Sequence, residues 1–172
     1  MAGTKKRAFM LFALDTNPLI DWAEGHDDIP DCFEIIRKKR QDVVILVPPT
    51  VLHELGHFYA TNQKGLRAIA LKALELIRAE PLLKPVNLVP VGHGIVEINA
   101  EKLRRHGFIS EDEINDSFVL AESGLLNCEV LLTSDHHLID INWKALSKVM
   151  KDFDGSVPLI YSPRDIVKKF GS

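Results

Sequence analysis

The sequence predicts an α/β protein, a three-layer α/β/α sandwich around a central, mostly parallel sheet of about five strands, and three observations predict it. Short β-rich apolar runs alternate with helix-patterned stretches. Several of those runs, such as FMLFAL and VVILV, lack the in/out alternation of a half-exposed strand and fit strands buried on both faces. Acidic residues follow two of the runs directly, at the carboxyl ends where open parallel sheets place their ligands.

The strand runs are residues 9–14, 43–47, 88–91, 130–133 and 158–161. Between and after them the helical patterns cover residues 18–23, 31–41, 50–61, 65–80, 95–106, 110–126, 143–150 and 163–170. Ser110-Glu-Asp-Glu113 has the spacing of a capping box, in which the serine accepts from the third helical amide and the glutamate reaches back. Thr50 after Pro48-Pro49, and Ser162 before Pro163, give N-cap and first-turn proline signals. Within residues 65–77, Leu66, Ile69, Ala70, Ala73, Leu74 and Ile77 recur at helical spacing and read as core.

At 172 residues the chain has the size of one domain, 1–172, able to bury its own core. An apolar share of 46% with 26% charged residues excludes a disordered or fibrous chain. The net charge of −3 excludes a nonspecific coat for nucleic acid, so a polyanionic ligand would need local basic patches or bound cations. Basic clusters stand at Lys5-Lys-Arg7, Arg37-Lys-Lys-Arg40, Lys102 with Arg104 and Arg105, and Lys168-Lys169. Most read as solvated helix faces. Lys102, Arg104 and Arg105 precede the 110–126 helix and are the candidates for contact with a polyanionic backbone.

Cys32 and Cys128 are too few for a disulfide framework and lack zinc-site spacing, which fits a reduced cytosol. The opening apolar stretch is at the short limit for a signal peptide and runs into Asp15 without a cleavage site, so it reads as a strand. No apolar run approaches the ~20 residues a membrane span needs, and a soluble, cytoplasmic protein is expected.

Asp15 directly follows the first run and Asp135 follows Val130-Leu-Leu-Thr-Ser134. Each could simply cap a turn through its own backbone. Glu54 lies one turn into the helix after the second strand and alone would be a solvated glutamate. Asp116 is harder to dismiss, because Phe118-Val-Leu-Ala121 beyond it is apolar nearly all round and marks a buried element with a carboxylate near its entrance. A buried unpaired charge is costly and implies a cationic partner. Four converging carboxylates would repel by about 4 kcal/mol per close pair at an effective dielectric near 20. A hard divalent cation suits such all-oxygen ligands and could hold a scissile phosphate and lower the pKa of a bound water.

In sequence order, LDTN at the first strand end, PPTVLHEL opening a helix, INDSFVLAES in a later helix and LLTSD after a strand resemble the PIN-domain (VapC-like) ribonucleases. The tail VPLIYSPRDIVKKF is similar to the strand and helix that often end these proteins. The resemblance covers nearly the whole chain. It implies a parallel sheet between helices, a Mg²⁺ or Mn²⁺ site made of Asp15, Glu54, Asp116 and Asp135, and endonucleolytic cleavage of RNA. Thr16, Asn17 and Ser134 would be polar helpers. Many relatives carry a further acid two residues past the last aspartate; here that position is His137, and Asp140 is the next acid. The resemblance also implies a homodimer and, for a toxin of a toxin–antitoxin pair, an antitoxin partner; a housekeeping RNA-processing nuclease is equally open.

His53-Glu-Leu-Gly-His57 competes, because HExxH is the pattern of zinc peptidases: two histidines one turn apart ligate zinc and the glutamate activates water, with Glu75 or Glu80 as third ligand. That reading leaves Asp15, Asp116 and Asp135 unexplained, whereas the nuclease reading uses Glu54 and leaves two ordinary helix histidines. A non-catalytic RNA-binding or partner-binding module is the third reading, favoured by the missing acid at His137.

Overall fold

The structure is a computed structural model that describes residues 9–171. Lys5, Lys6 and Arg7 lie outside them. Five strands, β1 (Met10–Leu14), β2 (Val43–Val47), β3 (Leu83–Pro85), β4 (Val130–Leu132) and β5 (Leu159–Tyr161), form one sheet in the order β3-β2-β1-β4-β5, with every pairing parallel. The chain builds outward from β1 through β2 to β3, then returns to the other side of β1 for β4 and β5. The order therefore switches between β1 and β4, and a crevice opens at the carboxyl ends of strands that diverge in this way.

The helices among the described residues are α1 (Thr16–Ala23), α2 (Asp28–Lys39), α3 (Pro49–Thr61), α4 (Arg67–Ala79), α5 (Pro90–Arg105), α6 (Ile114–Leu125), α7 (His136–Ile139), α8 (Trp143–Met150) and α9 (Pro163–Phe170), completing the α/β/α arrangement. Ala13, Leu14, Ile45, Val47, Leu131 and Leu132 are wholly buried, as strands covered on both faces require. The stripe on α4 also behaves as core: Ala70, Ala73 and Ile77 are buried, and α4 packs on α1 and α3. None of the described helices is long and apolar enough to cross a membrane.

Three local expectations are corrected. Residues 88–91 are not a strand: Val89 is the N-cap of α5 and Pro90 its first residue, and the third strand is the short LKP segment at Leu83–Pro85. That segment carries a proline, which a strand tolerates at a sheet edge where its missing N–H is not needed, and β3 pairs with β2 alone. Ser110 does not open the next helix, because α6 begins at Ile114 with Glu113 as an N-cap whose side chain makes no capping bond; Ser110 instead folds a tight turn, its carbonyl accepting from Glu113 N–H at 3.1 Å. Thr50 is not the cap of α3: Pro48 holds that position without a side-chain bond, Pro49 leads the helix, and the Thr50 hydroxyl is used elsewhere. At α9 the expectation holds in full, with a reciprocal capping box between Ser162 and Asp165.

Candidate active site

The sheet register places the first two acids. Leu14 pairs with Leu132, so the residues that follow β1 and β4 emerge side by side, and Asp15 N–H donates to the Leu132 carbonyl at 2.9 Å. Asp15 is 3% exposed. One carboxylate oxygen accepts from Thr16 N–H at 2.7 Å and the other from the Thr133 hydroxyl at 2.8 Å. The Thr133 hydroxyl in turn accepts from Asp135 N–H at 3.1 Å, and Asp135 caps α7 by accepting from His137 N–H at 2.8 Å. Both aspartates are therefore caps, as the bland reading held, and capping fixes their orientation at the crevice.

Two helices bring the others. Glu54, on α3, accepts from the Asn115 amide at 2.5 Å, and Asn115 neighbours Asp116 in the first turn of α6. Asp116 is half-buried, and its carboxyl group lies within hydrogen-bonding reach of Asp135. The four predicted acids thus act on one another. Burial, opposed by its two hydrogen bonds and reinforced by the charges of Glu54 and Asp135, pushes Asp15 up to about 6. Asp116 is raised well above the usual carboxylate range, by burial first and then by Asp15, Asp135 and Glu113. Buried carboxyls raised beside other acids, as Asp15 and Asp116 are, occur both at cation sites and in structural networks.

Of the polar helpers, Thr16 is buried and donates its amide to Asp15, while Asn17 is exposed on the first turn of α1. Ser134 points away from the cluster and donates to Asp21 at 2.9 Å. Asp140 ends α7 and is exposed, and its charge is not among those acting on Asp15 or Asp116. The fifth acid beside Asp116 is Glu113, whose carboxylate lies 3.4 Å from the His137 ring. The sequence reading took Glu113 only as a capping partner and gave Thr133 and Asn115 no place in the site. Glu113 stands one helical turn before Asp116, a spacing that could have signalled it.

Among the described residues, the group of three or more ligand-type side chains that closes within 4.8 Å is Asp21, Glu24 and His26 at the end of α1. It adjoins a cavity of about 180 Å³ that includes Ser134 and Arg164. The four predicted acids are more openly spaced, and so is HELGH. In that motif His57 contacts Gln63 at 3.1 Å, Glu54 is turned to Asn115, and Glu80 is bound to Arg37 and the Leu82 amide. Among the described residues no metal-binding group forms around HELGH.

The basic candidates each have an intramolecular partner. Arg104 donates to Ser117 at 2.5 Å and lies 3.7 Å from Glu111, Arg105 pairs with Glu101 at 2.5 Å, and Lys102 sits 5.3 Å from the centre of the Phe153 ring. Arg104 is mostly covered, whereas Lys102 and Arg105 remain exposed.

An all-parallel sheet with acids gathered at its switch point defines a class, and comparison with known proteins gives the same one. The chain matches the PIN domain over residues 12–144 and belongs to that family. A crystal structure of VapBC2 from Rickettsia felis, bound to a DNA fragment from their promoter, includes a chain of the same fold, with a TM-score of 0.61 at 16% identity. The similarity covers 89% of this chain and 98% of that one. No curated protein matches by sequence.

Proposed function

We propose that the protein is a metal-dependent endoribonuclease, with Asp15, Glu54, Asp116 and Asp135 as its acidic site. The observation that carries this reading is the convergence of four carboxyl groups from the ends of β1 and β4 and from α3 and α6, close enough that their charges act on Asp15 and Asp116. Their donors are all oxygen, which fits Mg²⁺ or Mn²⁺ and not a zinc-type nitrogen and sulfur set. A bound ion would supply a Lewis acid for the phosphate oxygens and a more acidic water.

The chain's own residues supply rigidity and placement. Thr16 and Thr133 fix both oxygens of Asp15, Asn115 fixes Glu54, and the His137 amide fixes one oxygen of Asp135. Burial and the neighbouring acids raise Asp116 to about 8, so gaining a cation at neutral pH would release its proton. Lys102 and Arg105 would take the RNA backbone on the α5 side, with Arg104 chiefly bracing Ser117.

Family membership supports nuclease chemistry, and the VapBC2 likeness supports the toxin of a toxin–antitoxin pair, with an antitoxin partner and a homodimer. The buried free thiols Cys32 and Cys128 fit the cytoplasm. The test is cleavage of a structured RNA panel with Mn²⁺ or EDTA, using wild type and Asp116→Asn. The variant should fold and lose at least about a hundredfold in rate, the scale on which a misplaced reacting group is felt. Cleavage persisting in EDTA, or at full rate in the variant, would remove the proposal; zinc-dependent casein cleavage would restore the peptidase.

A further inference from the structure

Glu122 is a glutamate in the core. It is 2% exposed, it lies on α6 nearly two turns beyond Asp116, and the acidic site makes no use of it. Its carboxylate faces the first turn of α3. The Thr50 hydroxyl donates to one oxygen at 2.5 Å and the Thr50 N–H to the other at 3.2 Å. The sequence of α3 makes this necessary: Pro48 offers no capping side chain and Pro49 no N–H, so the Thr50 amide is the first unsatisfied donor of the helix. A carboxylate there meets the positive end of the helix dipole.

We infer that Glu122 is a positioning residue which, by clamping the start of α3 to α6, sets where Glu54 stands relative to Asp116. The two helices are joined at two points. Asn115 and Glu122 on α6 are two turns apart, and their partners Glu54 and Thr50 on α3 are one turn apart. A single link would leave α3 free to pivot or slide; two fix its register. Apolar contact would hold the helices together just as tightly, but it is non-directional and tolerates sliding. The carboxylate does so at a cost, since burial pushes Glu122 up to about 7 in spite of both bonds. Retaining so costly a group suits a directional role better than a cohesive one.

The inference rests on the acidic-site reading, and the test separates the two. Mn²⁺ alone is titrated calorimetrically into four folded proteins: wild type, Asp116→Asn, Glu122→Met and Glu122→Gln. Glu122→Met removes both bonds at similar volume and should weaken Mn²⁺ binding about tenfold, the lower end of what loss of a group orienting a metal ligand costs. Glu122→Gln should stay within about twofold, because its carbonyl can accept from Thr50 N–H while its amide donates to the Thr50 hydroxyl. A residue that only capped α3 would alter the melting temperature and leave the affinity of folded protein alone.

Wild-type affinity in folded Glu122→Met, or equal weakening in the glutamine and methionine variants, overturns the inference while the acidic site stands. Wild type that binds no Mn²⁺, or Asp116→Asn that binds as wild type does, overturns both. Should Glu122→Met not fold, Thr50→Val deletes the hydroxyl bond alone, and a loss of about threefold in Mn²⁺ affinity is required of it; none would overturn the clamp.

Discussion

Replacing Asp15 by asparagine should stabilise the metal-free protein while destroying its function. The folded state holds the Asp15 carboxyl at about 6 against 3.8 when unfolded, chiefly because it is buried. A raised carboxyl means that the native state binds the proton more tightly than the unfolded state does. Stability is therefore highest at acid pH, declines as pH rises from 3.8 to about 6, and is flat above that. Over that interval, at about 1.4 kcal/mol per pH unit, the penalty reaches about 3 kcal/mol. Asparagine removes the charge and keeps the contact to Thr16 N–H, but it disturbs the Thr133 hydroxyl, worth about 1 kcal/mol. The net gain at pH 8 is about 2 kcal/mol, roughly 4–8 °C in melting temperature for a chain of this size.

Thermal unfolding in EDTA at pH 8 and pH 5 measures this. The charge penalty at pH 5 is about half that at pH 8, so the asparagine variant's advantage must shrink as the buffer is acidified. Mn²⁺ should reverse the order, raising wild type by about 2.7 kcal/mol at a hundred times its dissociation constant and leaving the variant unmoved. A variant less stable than wild type at pH 8 in EDTA, or an advantage that grows toward acid, would refute the assignment of Asp15 as a carboxylate confined for a cation.

Mn²⁺ affinity of wild type should climb across neutral pH with uptake of metal releasing protons, because burial and neighbouring acids raise Asp116 to about 8 in the metal-free fold; calorimetry in buffers of different ionisation enthalpy reads the proton count, and a pH-independent affinity would contradict a raised Asp116. Reversing Lys102 and Arg105 to glutamate should weaken binding of uncleavable RNA and flatten its salt dependence by about 0.7 per lost contact on a log–log plot, whereas an unchanged slope would place the RNA elsewhere. Ser162→Ala breaks the capping box of α9 and should cost about 1 kcal/mol, seen in urea unfolding as a lower midpoint at constant slope, with RNA cleavage unaffected.

The strands that position the site were legible because burial on both faces leaves a continuous apolar run, and β1, β2 and β4 all show one. β3 was not, because three residues at a sheet edge, ended by Pro85, carry no such run, while Leu88 to Val91 imitate one. The four acids were readable from their places relative to strand ends and helix starts. Their supports were not: Thr133 to Asp15, Asn115 to Glu54 and Thr50 to Glu122 join residues 118, 61 and 72 positions apart, and only the packed helices bring such pairs together. The misread start of α6 had a local cause. Ser110 and Glu113 have the spacing of a capping box, and the same residues close a tight turn when the helix begins at Ile114, four residues later than expected.

HELGH shows how a helix can satisfy a motif and decline its chemistry. Histidines four apart share a face, and the glutamate between them stands about 100° round the helix from the first. In a zinc peptidase that glutamate serves a water on the metal the histidines hold. Here the face bearing His53 and His57 is open to solvent, with His57 engaged by Gln63, while Glu54 turns toward α6 and the charge of Asp15. One carboxylate cannot serve both sites. Asn115 ties Glu54 to the helix that carries Asp116, which supports the acidic-site reading, so the neighbour that orients the glutamate carries more information than the histidines that flank it.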